Sequence, residues 1–249
     1  MTTVDRWLLP DGIEEVLPAP AAKVERLRRA LLDLYRSWGY ELVIPPLVEF
    51  TESLLIGLGA DIDMLTFRIT DQLSGRNMGI RADITPQVAR IDAHSMPTEG
   101  INRLCYAGSV LHTRPTALQA SRAPIKVGAE LYGEPSLHAD IEIICMMLET
   151  LKVAGIQGIT LDLGHVGIYR RLLSASGLAG DAADTVFDAL QRKSLPDLEL
   201  ALAAVEDADC RAQIMQLATL HGDASVLESA DWAGEEVAEL KRVALSVQA

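Results

Sequence analysis

The residues best suited to chemistry gather in two stretches, Arg81 to Arg90 (RADITPQVAR) and Arg103 to Gly133 (RLCYAGSVLHTRPTALQASRAPIKVGAELYG). In the first, Asp83-Ile84-Thr85-Pro86 reads as a helix start, with threonine as N-cap and proline at the first helical position. The free amides of that helix end would stand beside a carboxylate, Asp83, and a cation, Arg81, which suits a small zwitterion or an anion. In the second, the segment from Thr113 to Ala123 carries Arg114, Gln119 and Arg122 together with serine and threonine hydroxyls, too many donors for a tight turn. A polar loop of this length between paired strands is a ligand clamp or a disordered segment.

The elements that must position these residues follow from periodicity. Val24, Leu27, Leu31, Leu34 and Trp38 recur at helical spacing opposite a charged face, and Gly39 stands where a left-handed cap is wanted, so an amphipathic helix begins after Pro20. Tyr40 to Ile44 is a short β-prone run stopped by Pro45-Pro46. A short helix over Thr51 to Leu58 precedes a hairpin of Leu65 to Thr70 with Met78 to Ala82, turned at Ser74-Gly75-Arg76-Asn77. The strands at 103–113 and 123–133 come next, and then a helix capped by Ser136 that is apolar nearly all round and therefore expected to be buried on more than one side. Ile159 to Leu163 reads as another strand. Beyond Gly167 helical patterns broken at Gly177, Gly180, Pro196, Gly222 and Gly234 replace strands, giving an α/β (α+β) core over residues 1–172 and a helical module over 173–249. The N-terminal arm, with Trp7-Leu8-Leu9 as its apolar cluster, is expected to lie on the core.

Composition narrows the class of partner. The formal charge of −13, with no segregated basic block, disfavours nucleic acid, and no run approaches the length of a membrane span. Cys105, Cys145 and Cys210 are odd in number and far apart, as in a cytoplasmic protein with buried thiols. The five histidines lack ligand spacing, so neither a metal nor a cofactor is expected. The glycines at 57 and 59 would end a helix instead of linking a strand to one, and the context of a nucleotide loop is missing.

The order of these signals resembles the class II aminoacyl-tRNA synthetase catalytic domain, an antiparallel sheet flanked by helices, and most closely its histidyl-tRNA synthetase branch. Trp38 to Glu49 (WGYELVIPPLVE) is similar to the first class motif, the dimer-forming helix and strand. Arg81 to Arg90 resembles the Arg-Pro-Glu-Gly-Thr segment that holds the amino acid. Arg103 to Gly133 is similar to the hairpin whose arginine and glutamate grip ATP, with GAELYG at its close. The hairpin departs from the Phe-Arg-x-Glu pattern: either register brings Leu111, His112 and Thr113 into it, and neither keeps both the arginine and the glutamate. A leucine or a mostly neutral histidine is no permanent bidentate cation for the α-phosphate.

A synthetase-like core without that grip resembles the regulatory subunits of ATP phosphoribosyltransferase. The resemblance implies no catalytic residue in this chain and a short-form catalytic subunit of that transferase as partner. It also implies homodimers formed through the first helix and strand, histidine as effector, and further core-sheet strands after residue 249. Asp83, Thr85 and Glu130 match positions that receive histidine in the synthetases, and Lys126 stands where they ordinarily have glutamine. Arg114 and Arg122 would bind a phosphate or a carboxylate. On residue type alone Asp83 serves equally as a helix cap, Glu130 as the partner of an arginine, and the two loop arginines as solvated charges. The competing reading is an active class II amino-acid ligase or a divergent histidyl-tRNA synthetase.

Overall fold

A computed structural model describes residues 7–56, 60–96, 99–117 and 120–247, without the side chains of Ala60 and Asp61. The glycine pair at 57 and 59 lies outside the described residues. Two compact units result, Met1–Gly158 and Ile159–Ala249.

In the first unit, α1 spans Pro18–Ser37, three residues earlier than expected, because a proline at the first helical position costs no hydrogen bond. Its inward face keeps Leu31, Leu34 and Trp38 of the anticipated stripe and adds Tyr35, whereas Val24 and Leu27 are exposed. Gly39 follows at φ +86°, and the Tyr40 amide donates back to the Tyr35 carbonyl at 3.0 Å. The chain then forms β1 (Glu41–Leu42), β2 (Val48–Phe50), the single helical turn α2 (Thr51–Leu54), α3 (Ala60–Leu65), β3 (Phe67–Thr70), β4 (Asn77–Ile80), α4 (Thr85–His94), β5 (Asn102–Ser109), β6 (Ile125–Tyr132) and α5 (Leu137–Val153).

The strands make two three-stranded sheets, ordered β1-β5-β6 and β2-β4-β3. Both anticipated hairpins are present as antiparallel pairs, while β1 joins β5 in parallel. Arg103 on β5 ties the first sheet to its helices through two 2.7 Å bonds to Glu142 of α5, whose carboxylate also accepts the Tyr40 hydroxyl at 2.9 Å. The guanidinium holds the Glu142 carboxyl below the usual carboxylate range.

Three expectations fail. The Trp7-Leu8-Leu9 cluster is exposed, Trp7 at 84%; the arm is fastened further on, by the carbonyls of Asp11 and Gly12. α5 buries only Ala139 and Met146 and leaves Met147 and Val153 exposed, because its apolar surplus meets no second layer among the described residues. Residues 159–165 form no strand, since β-propensity without a ladder partner does not make one.

The second unit is helical: α6 (Val166–Ser176), α7 (Asp181–Gln191), α8 (Leu195–Ala201), α9 (Ala208–Leu217), a 3₁₀ segment (Ala224–Ala233) and α10 (Glu235–Val247). Its core gathers Val186, Leu198, Leu202, Ile214 and Ala230, and Leu163 of the anticipated strand packs against it. Side chains cap α6 and α9: His165 Nδ1 accepts from the Gly167 amide at 3.0 Å, and Asp207 accepts from the amides of Asp209 and Cys210.

No described helix is long and apolar enough to cross a membrane.

Candidate ligand site

The β5–β6 register puts Leu104 opposite Glu130, Tyr106 opposite Gly128 and Gly108 opposite Lys126. Because strand side chains alternate, Lys126, Gly128 and Glu130 share one face of β6. Gly128 carries no side chain for a reason: an added Cβ would lie 2.5 Å from the Tyr106 hydroxyl, which crosses it toward Glu130. The N-terminus of α4 meets this face. Thr85 Oγ1 lies 3.0 Å from the Tyr106 hydroxyl, that hydroxyl donates to Glu130 Oε1 at 3.4 Å, and Lys126 Nζ sits 3.0 Å from Asp83 Oδ2.

Thr85 is therefore not the helix cap that the sequence suggests. Thr85 is the first helical residue and the cap position, Ile84, has no side-chain cap; Asp83 Oδ1 accepts the Ile84 amide at 2.6 Å just before the helix, while the threonine hydroxyl turns to the strand. Burial pushes the Tyr106 phenol up to about 12, so it is a donor across the physiological range. Burial also raises the Glu130 carboxyl; the hydroxyls of Thr85 and Tyr106 oppose this, and the Asp83 charge adds to it. Asp83, Thr85 and Glu130 thus come together as one polar group on the sheet, with Lys126 and Tyr106 completing it.

The arginines do not join it. Arg81 is buried: its Nε donates to the Ser109 carbonyl at 2.9 Å, and its Nη1 donates to the Pro45 carbonyl at 2.8 Å. Its guanidinium occupies the space that a side chain at Gly108 would need, and burial lowers its pKa. The cation beside Asp83 is therefore Lys126. Arg122 braces the hairpin, donating to the carbonyls of His112 and Asp11 and lying 5.3 Å over the Phe67 ring. Arg114 is exposed and has no hydrogen-bond or ion-pair partner among the described residues. No hydrogen bond or ion pair among the described residues joins either loop arginine to Asp83, Thr85 or Glu130.

The would-be ATP grip is spent on packing. His112 is buried with Nε2 3.0 Å from the Ala82 carbonyl, Thr113 Oγ1 donates to the Met64 carbonyl at 2.6 Å, and Val110 is in the core. No group of three metal-ligating side chains occurs among the described residues. Lys126, which the resemblance set at the synthetases' glutamine position, is part of the group, and Tyr106, opposite Gly128 in the β5–β6 register, is the member that sequence reasoning missed.

Two small sheets with a hairpin at the centre of one, flanked by helices and followed by a helical unit, are a class II aminoacyl-tRNA synthetase-like fold. The chain belongs to the histidyl-tRNA synthetase family, whose profile matches residues 12–249. Among curated relatives it is 56% identical over 245 residues to the ATP phosphoribosyltransferase regulatory subunit of Ectopseudomonas mendocina, covering 98% of this chain and 62% of that protein. It is 58% identical over 228 residues to the subunit of the same name from Pseudomonas aeruginosa strain LESB58, covering 92% and 58%. The chain therefore spans about three-fifths of the length of these relatives.

Among solved structures it matches an ATP phosphoribosyltransferase regulatory subunit/histidyl-tRNA synthetase from Bacillus halodurans with a TM-score of 0.83 at 23% identity, over 100% of this chain and 66% of that one. It also matches the ATP phosphoribosyl transferase (HisG:HisZ) complex from Thermotoga maritima with a TM-score of 0.68 at 17% identity, over 90% and 76%. At these identities the structures speak for the fold.

Proposed function

We propose that this chain is a non-catalytic regulatory subunit of ATP phosphoribosyltransferase, required by a short catalytic subunit for activity and for feedback by histidine in histidine biosynthesis in the cytoplasm. The observation that carries the reading is His112. Where adenylation needs a permanent cation on the α-phosphate, this chain has His112 in one register and Leu111 in the other, and the imidazole is buried in its own fold with Nε2 3.0 Å from the Ala82 carbonyl. The names of relatives at 56% and 58% identity agree with it.

The same reading assigns the surfaces. Asp83, Thr85 and Glu130 form the effector pocket, and Arg114 is the loop residue left to meet a partner's phosphate or carboxylate while Arg122 holds the loop's base. Homodimers form through the α1–β1 region, where β1 is an edge strand and Leu42, Ile44 and Leu47 are exposed. Mixing the purified chain with a short-form ATP phosphoribosyltransferase tests the role. Phosphoribosyl transfer to ATP should rise on mixing and become sensitive to histidine; an unchanged rate with no co-elution would refute it.

A further inference from the structure

The pocket is not a pair of free carboxylates, and the difference determines what it can read. Asp83 has both oxygens engaged: Oδ1 accepts the Ile84 amide at 2.6 Å and Oδ2 faces the Lys126 ammonium at 3.0 Å. Glu130, on the same face of β6, has the Tyr106 hydroxyl at 3.4 Å and no cation among the described residues. Asp83 and Lys126 neutralise one another, which leaves the single charge of Glu130 for a ligand to match. The Lys126 side chain is 39% exposed and that of Asp83 is 22% exposed, so the pair is partly desolvated and a competing ammonium must displace a tethered one.

We propose that Lys126 is a tethered ammonium occupying the amine-binding half of this pocket. The site then reads its ligand through one ring N–H or cation at Glu130 and gains nothing from the ligand's own amino group. This rests on the reading of Asp83, Thr85 and Glu130 as a ligand pocket and adds to it a specificity-determining residue. The ligand class is an imidazole-bearing molecule whose α-amine is dispensable. Removing the lysine charge would free Asp83 and convert the site to one that selects amino acids.

Calorimetric titration of the whole chain with histidine and with 3-(imidazol-4-yl)propionate, the same skeleton without the α-amine, tests this. The wild-type chain should bind the two with similar Kd. Lys126→Gln should favour histidine by roughly fivefold, the effect of one half-exposed ion pair, and Glu130→Gln should weaken both ligands. A wild-type chain that already prefers histidine about fivefold, or a Lys126→Gln chain that still binds the two alike while Glu130→Gln weakens both, overturns the assignment of Lys126 and leaves the pocket standing. Binding of neither ligand, or binding indifferent to Glu130→Gln, removes the pocket itself and the proposal with it. Thermal unfolding of each variant separates loss of binding from loss of fold.

Discussion

The segment from Arg81 to Arg90 has two faces with opposite fates. On one, Arg81, Gln87 and Arg90 are committed to the fold. Gln87 is almost wholly buried and donates at 2.8 Å to both the Pro46 carbonyl and Glu49, Arg90 reaches Glu49 at 2.5 Å, and Arg81 holds Pro45 and Ser109. On the other, Asp83 and Thr85 face the strand pair, Asp83 meeting the half-exposed Lys126 ammonium at 3.0 Å and Thr85 the hydroxyl of the buried Tyr106 at 3.0 Å. Polar groups that satisfy backbone carbonyls in the interior are structural, because losing them leaves buried acceptors unpaired. Polar side chains paired at a half-open surface lose less when a partner is removed, because water can replace it.

Substitutions on the two faces should differ accordingly. Arg81→Ala should have the largest effect, a loss of about 3 kcal/mol or more in chemical denaturation, since it strands carbonyls and Gln87 together. Arg81→Lys should rescue little of it, because one ammonium cannot span both Pro45 and Ser109. Gly128→Ala, between the faces, should cost about 2 kcal/mol in thermal unfolding by forcing Tyr106 aside, and with it the Thr85 contact. The double substitution Asp83→Ala with Glu130→Ala should cost only about 1 kcal/mol in unfolding, for the lost Ile84 amide contact, and abolish histidine binding; retained binding would place the effector elsewhere.

The smallest effects are in pH dependence, and they have opposite signs. Glu142 is held low by Arg103, so its stabilisation is present above the unfolded carboxylate value and is lost as pH falls through the lowered native one. Glu142→Gln should cost about 1 kcal/mol near neutrality, with the gap to wild type narrowing in acid. Glu130 is raised, so the native state binds the proton more tightly than the unfolded chain and stability declines as pH rises through the carboxylate range. Glu130→Gln should therefore be stabilising near neutrality, by less than about 1 kcal/mol, and the gain should vanish in acid.

Much of the frame was legible in the sequence because it rests on local signals. The helix ending at Gly39 and both hairpins follow from periodicity and turn residues. What was not legible depends on partners remote in sequence. Ile159 to Leu163 has strand-like residues and no ladder to join, and Trp7 to Leu9 has apolar residues and no surface to cover. Residue type could not tell Arg122, a brace for His112 and Asp11, from a ligand-binding arginine. It could not show that Thr85 would abandon the cap for Tyr106. The resemblance brought Asp83, Thr85, Glu130 and Lys126 together, but only the structure shows that Lys126 pairs with Asp83 and that Tyr106 bridges Thr85 and Glu130.

The central claim is a synthetase-like fold without synthetase chemistry, and ATP–pyrophosphate exchange over the common amino acids tests it most directly. His112 or Leu111 in place of a phosphate-gripping arginine, with the His112 ring buried against the Ala82 carbonyl, predicts no exchange above background with any amino acid, histidine included. Exchange that depends on one amino acid would contradict the account and make the chain an active ligase.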